Sequence, residues 1–200
     1  MSPLSNLSKQ EQTIMNLDRE HAIEVIMNLY GNEIKRYVFT FMKNHADTDD
    51  VTQEVFVTVY QKLHTFQGRS SLKSWIYSIA TNKCKDHLRS WQVRNRNLKE
   101  KLKRNLSKNQ ENILSLEDKV VKNSESKELL QQILQLPIKY REVIILYYFY
   151  DFSTVEMSKI LQTKDATIRT RLRRGRDQLR SMLRSERGEQ FGAQITRNER

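Results

Sequence analysis

The sequence predicts an all-α protein: two small helical domains joined by a flexible polar linker, the second containing a helix-turn-helix. Three observations predict it. Apolar residues recur at threes and fours in several separate stretches, the spacing of helices that bury one face. No stretch alternates apolar and polar residues over strand length, and five Gly and two Pro are too few for the turns of a sandwich or barrel. The apolar pattern also lapses once, between about residues 92 and 126, in a chain whose residues are 30% charged; a long polar lapse of that kind separates domains.

Residues 1–18 carry no sustained periodicity and are expected to be a flexible leader ending in at most a short helical turn. From Arg19 onward Ile23, Ile26, Met27, Tyr30, Ile34, Tyr37, Val38 and Phe41 mark an amphipathic helix, or two with a break at Gly31. A polar break is expected at 44–47. Val51, Val55, Val59 and Leu63 then fall on every fourth position, and a loop over 65–71 containing Gly68 leads to a helix bearing Leu72, Trp75, Ile76, Ile79, Ala80, Cys84 and Leu88. This first module spans 19–91. A basic polar linker occupies 92–126, a second module 127–184 and a polar tail 185–200. In the second module Leu129, Leu130, Ile133, Leu134 and Leu136 restore helical periodicity. Pro137 suits a helix first turn, where its missing N–H costs nothing. The run 143–149 is apolar all round and is expected to be the buried centre.

The net charge is +11, and its distribution says more than its size. Residues 83–104 carry nine Lys/Arg against two acids, and residues 159–187 ten against three, a net +7 in each stretch and −3 elsewhere. Two basic stretches on a near-neutral body suit two contacts with one long polyanion. The longest apolar run, 143–150, is far below the roughly 20 residues of a membrane span, and residues 1–18 have no signal-peptide core. These features predict a cytoplasmic chain without membrane insertion. The single Cys84 excludes an internal disulfide or a Cys-based zinc site of ordinary spacing, and the expected cofactors and metals are none.

Ser153-Thr154-Val155-Glu156 is a capping box. It opens a short helix in which Val155, Met157, Ile160 and Leu161 are expected to face inward. A turn over 162–165 follows, and a second helix begins near Ala166. Ile168, Leu172 and Leu179 are its expected core positions, which leaves Thr167, Arg169, Thr170, Arg173 and Arg174 facing outward. Two short helices joined by a tight turn, the second rich in Arg, form a helix-turn-helix. Arg grips guanine edges bidentately and neutralises phosphates.

Three segments together carry a family resemblance. Leu136-Pro137-Ile138-Lys139-Tyr140-Arg141-Glu142-Val143, with the helix-turn-helix and Thr167-Ile168-Arg169-Thr170-Arg171-Leu172-Arg173-Arg174-Gly175-Arg176, resembles the fourth region of bacterial RNA polymerase sigma factors of the extracytoplasmic-function group. Asp49-Asp50-Val51-Thr52-Gln53-Glu54-Val55-Phe56 resembles that family's core-binding helix. The stretch 66–82, which begins Phe66-Gln67-Gly68-Arg69-Ser70-Ser71, resembles its promoter-melting segment. The resemblance covers roughly 20–95 and 125–184, in family order.

The resemblance implies a transcription initiation factor, not an enzyme, whose partners are core RNA polymerase and promoter DNA. Asp49, Asp50, Gln53 and Glu54 would meet the clamp helices of the largest polymerase subunits. Phe66, Gln67, Arg69 and Ser70 would line a pocket for an unstacked base of the −10 element, with Asn82 nearby and Lys73, Lys83, Lys85 and Arg89 on the backbone. Trp75 reads as core. Arg169, Thr170, Arg173 and Arg174, helped by Thr167 and Arg171, would read the −35 element. The linker would thread the polymerase toward its RNA exit path, and an anti-sigma protein would be a further partner.

The chain departs from the family pattern at the turn, where Gln162 replaces the usual Gly at a position favouring positive φ, a cost of about 1 kcal/mol. Lys164 stands where a capping Ser is usual, so Thr163 or Asp165 is expected to cap. Two rival readings follow from the residues. A stand-alone helix-turn-helix regulator explains 153–176 but gives the first module no purpose. A metal-dependent nuclease using Asp47, Asp49, Asp50 and Glu54 lacks an evident acid–base partner.

Overall fold

The computed structural model describes residues 8–101 and 124–198; the ends of the expected leader and tail, and most of the expected linker, lie outside them. Among the described residues the regular structure is helical. It comprises α1 (Lys9–Met15), α2 (Arg19–Met42), α3 (His45–Lys62), a 3-10 turn (Leu63–Thr65), α4 (Leu72–Lys101), α5 (Ser124–Gln135), α6 (Ile138–Tyr148), α7 (Thr154–Ile160) and α8 (Asp165–Asn198). The chain divides into two compact units, the first built on α1 to α4 and the second on α5 to α8.

Within the first unit, α2, α3 and α4 pack side by side. Val51, Val55 and Val59 are fully buried, as their fourfold spacing predicts, together with Ile26, Ile34, Tyr37, Leu72, Ile76, Ala80 and Cys84. A polar link crosses the core. Tyr37 Oη and Thr81 Oγ1 share a hydrogen bond of 2.8 Å, and Thr81 Oγ1 in turn donates to the Tyr77 carbonyl. A buried hydroxyl pair satisfied in this way avoids the penalty of an unmade bond and ties α2 to α4 at one register. The Tyr37 ring lies 5.0 Å from Tyr77 and edge-on to Phe41 at 5.2 Å.

Several boundaries differ from the sequence reading. No break occurs at Gly31: α2 runs through it, and a Cβ there would meet nothing within 4 Å. Packing of the flanking turns outweighs the modest helix penalty of one glycine. The break at 44–47 contracts to Lys43, left-handed at φ 60°, and Asn44, whose side chain accepts from the Asp47 N–H and so starts α3. The leader contains a capped helix, α1. The helix of α4 continues to Lys101, ten residues into the expected linker, and α8 continues to Asn198 through the expected tail. Neither extension carries a sustained spacing of apolar residues at threes and fours, the signal that periodicity reads.

In the second unit α8 packs on α6 and α5. Val143, Ile144, Ile145 and Leu146 are buried, but Tyr147, Tyr148 and Phe149 are 41–51% exposed; the run is buried only in its first half. Pro137 stands at the N-cap of α6, its carbonyl accepting from the Tyr140 and Arg141 N–H groups. Arg141 is buried, and its Nε and one terminal nitrogen donate to the Leu136 carbonyl at 3.2 and 2.8 Å. Burial pushes its guanidinium down to about 10. Gly175 allows α8 to approach α6 closely, since a Cβ would lie 3.1 Å from Ile144 Cγ1 and 3.4 Å from Tyr140 Cβ.

Candidate nucleic-acid interface

The helix-turn-helix is built as its capping residues dictate. Glu156 N–H donates to Ser153 Oγ at 3.3 Å, while Glu156 Oε2 accepts from the Ser153 N–H at 2.9 Å and its hydroxyl at 2.7 Å. Met157 is fully buried, but Val155 is 54% exposed, against the expectation. Val155 is the second residue of the helix, and the first turn set by the capping box leaves it on the solvent side. Gln162 adopts φ 50°, so the turn keeps its left-handed geometry without glycine. Asp165 is the first residue of α8 rather than its cap, and its Oδ2 pairs with Arg169 at 2.8 Å. A carboxylate in the first turn suits the positive end of the helix dipole.

On α8, Ile168 and Leu172 are buried and Leu179 is only half-buried. Thr167, Arg169, Thr170, Arg173 and Arg174 are exposed. The Thr170 hydroxyl donates back to the Ala166 carbonyl. Arg171 differs from its neighbours: it is half-buried and donates at 3.1 Å to Glu142 Oε1, whose side chain is 3% exposed. Its position in the Arg-rich run hid this partner, which sits 29 residues away.

In the first unit Asp49, Asp50, Gln53 and Glu54 all lie exposed on α3. Asp49 meets Lys35 at 2.6 Å, Glu54 meets Lys83 at 3.5 Å, and Asp47 lies 3.6 Å from His87. Among the described residues no three His, Cys, Asp or Glu side chains converge as metal ligands would; Asp49 and Glu54 pair instead with lysines of α2 and α4. A shallow groove lined by Ile23, Met27, Gly31, Phe56, Val57 and Tyr60 runs beside this strip.

Residues 66–71 form the loop before α4, turned by Gly68 at φ 66°. Gln67 and Arg69 are exposed, Ser70 is half-buried, and Ser71 caps α4 by accepting from the Ser74 N–H. Phe66 is 7% exposed, its ring 5.3 Å from that of half-buried Trp75. Phe66 is thus packed against Trp75 and offers little surface to solvent. Along α4, Lys73 lies 3.9 Å from Glu33 and Arg89 3.2 Å from Asp86, while Asn82 is exposed. Cys84 is buried, which pushes its thiol far up from its ordinary value and leaves it an inert packing residue.

The second unit carries a feature that periodicity suggested only in part. Leu129, Ile133, Ile144 and Leu179 line an open apolar groove edged by Arg176 and Arg180. Among the described residues no helix is long and apolar enough to cross a membrane.

An Arg-studded helix-turn-helix in one unit, and an acidic strip beside a basic helix in the other, define a helical DNA-binding transcription factor. The Sigma-70 region 2 family matches residues 26–94 and the Sigma-70 region 4 family residues 126–179. The chain is 31% identical to the ECF RNA polymerase sigma factor SigW of Bacillus subtilis over 178 residues, covering 82% of this chain and 90% of SigW. It is 27% identical to SigX of the same organism, over 82% of this chain and 84% of SigX. The fold is shared with the sigma factor RpoE of Bartonella quintana, solved with the anti-sigma factor NepR, at a TM-score of 0.62 and 21% identity over 80% of this chain and 96% of that one. It is also shared with CnrH, solved with the cytosolic domain of CnrY, at 0.61 and 20% over 88% and 94%. The chain belongs to the extracytoplasmic-function sigma factors of the sigma-70 family, which direct RNA polymerase to promoters.

Proposed function

We propose that this chain acts without catalysis of its own, as a cytoplasmic factor that divides promoter recognition between its two units. The face of α3 bearing Asp49, Asp50, Gln53 and Glu54 docks on the clamp helices of core RNA polymerase. The 66–71 loop and the exposed face of α4, through Gln67, Arg69, Ser70, Lys73, Asn82, Lys83 and Arg89, hold the melted −10 element, with Phe66 supporting the pocket from below. Arg169, Thr170, Arg173 and Arg174, with Thr167, read the −35 element in the major groove. Arg171 contributes mainly by holding α8 on α6. The modules correspond to 19–91 and 127–184, joined by the basic linker.

The acidic strip on α3 carries this reading. A carboxylate-rich exposed face on a chain of net charge +11 repels DNA, so it calls for a protein partner of complementary charge. A stand-alone regulator would have no use for it. One neighbour in fold was solved with the anti-sigma factor NepR and another with the cytosolic domain of CnrY, and an anti-sigma partner would silence this chain by covering the same faces.

The test is assembly with core polymerase, comparing wild type with Gln53→Ala/Glu54→Ala. The double variant is expected to fold normally, to lose at least tenfold in core affinity, on the order of 1.4 kcal/mol, and to bind −35 duplex unchanged. Wild-type protein that ignores core yet binds one duplex sequence specifically would install the stand-alone regulator instead.

A further inference from the structure

The leader helix α1 was assigned no role by the sequence, yet it bonds to the residue that follows the loop at 66–71 and shares a cavity with the turn that precedes it. Ile14 is 2% exposed and lines a small cavity with Ala22 and Leu63; Leu63 opens the 3-10 turn that precedes the loop. At the loop's other end Glu11 Oε1 accepts the backbone N–H of Leu72, the first residue of α4, at 2.5 Å. The other carboxylate oxygen, Oε2, accepts from the Ser8 N–H and hydroxyl, both at 2.9 Å. The Ser8 hydroxyl also caps α1 by accepting from the Glu11 N–H.

Glu11 is therefore fixed from behind by its own capping box while it satisfies a donor 61 residues away. The first N–H groups of a helix have no partner inside it. Ser71 Oγ takes that of Ser74, and Glu11 takes that of Leu72. A charge-assisted bond to a backbone N–H is short and strong, and it fixes the direction in which the chain enters α4.

We propose that Glu11 is a positioning residue for −10 reading: with Ile14 it clamps α1 across the loop and holds Gln67, Arg69 and Ser70 in the arrangement that receives the unstacked base. This rests on the functional reading above. Strand capture needs the pocket pre-formed, since extruding a base already costs free energy, and a loop free at one end would have to be ordered at the moment of binding.

The experiment uses the full chain assembled with core polymerase. Glu11→Ala and Glu11→Gln are compared for open-complex formation, read by permanganate reactivity of −10 thymines, on two promoters differing only at the captured base. Circular dichroism melts establish that each variant is folded. Glu11→Ala is expected to slow melting about tenfold, the loss typical of one hydrogen bond to a charged group, and to narrow the discrimination between the two promoters. Glu11→Gln keeps one acceptor oxygen for the Leu72 N–H but loses the one that meets Ser8, and is expected to fall between wild type and Glu11→Ala. Core affinity and −35 duplex binding should not change. Glu11→Ala that melts and discriminates like wild type, or that lowers both promoters in equal proportion, would overturn the proposal. Wild-type protein unable to melt either promoter would overturn the functional reading itself, and this proposal with it.

Discussion

Replacing Arg171 by alanine should destabilise the second unit far more than any neighbouring arginine does. Its partner Glu142 is 3% exposed, whereas Arg171 itself is 27% exposed. Removing one member of a buried pair typically costs 3–5 kcal/mol, roughly, because the other charge stays buried; the exposure of the guanidinium reduces this to about 2 kcal/mol here. In a domain this small that corresponds to a fall in melting temperature of about 10 °C. Arg173→Ala, on the exposed side of the same helix, should fall within about 0.5 kcal/mol of wild type but lose affinity for −35 duplex. The assay is thermal unfolding by circular dichroism beside fluorescence anisotropy on the duplex. Arg171→Met/Glu142→Gln should recover most of the lost stability, since removing both charges leaves none uncompensated. A melting temperature for Arg171→Ala close to wild type, with duplex affinity lost as in Arg173→Ala, would refute the assignment of Arg171 to the packing of α8.

Gly31 and Gly175 should respond in opposite directions to alanine. Gly31→Ala, with open space at its Cβ, should stabilise by about 0.5–1 kcal/mol, while Gly175→Ala, crowded by Ile144 at 3.1 Å, should destabilise by about 1 kcal/mol net of its better helix propensity; urea midpoints with an unchanged slope decide both. Gln162→Gly should stabilise by about 1 kcal/mol by relieving the left-handed backbone at φ 50°, seen as a higher melting temperature. At the start of α2, the Asp18 carboxylate accepts from the His21 N–H and lies 2.6 Å from its Nδ1. That hydrogen bond raises His21 above its ordinary 6.5, and the His21 backbone and ring lower Asp18 below its ordinary 3.8. The histidine contribution is fully present below 6.5 and lost as pH rises through its folded value; the aspartate contribution is present above 3.8 and lost as pH falls through its own. The pair is therefore most effective between those limits, and NMR titration should find His21 less basic in Asp18→Asn.

Much of this protein was legible in its sequence because the signals were local and periodic. Val51, Val55 and Val59 could be placed in the core by spacing alone. The Ser153–Glu156 capping box and the positive φ at Gln162 follow from side chains three residues apart and from the geometry of one turn. The exposed residues of α8 follow once Ile168 and Leu172 are set inward. Apolar content, by contrast, misplaced Val155 and the aromatic end of α6, because hydrophobic residues need not be buried when a helix turns them outward.

What only the tertiary structure decided were the partners distant in sequence. Nothing near Arg171 in sequence announces its pairing with Glu142 of α6. Nor does spacing alone place the Trp75 ring against Phe66. Glu54 and Lys83 belong to different helices, and their pairing depends on how α3 lies along α4. The leader had no periodicity to read, because a seven-residue helix buries little of itself, and its docking rests on Ile14 and on Glu11 reaching the first N–H of α4. Helix faces and caps are set by residues within one or two turns, which a sequence displays directly. Long-range ion pairs and trans caps depend on which helices become neighbours, and that is fixed only when the whole core closes.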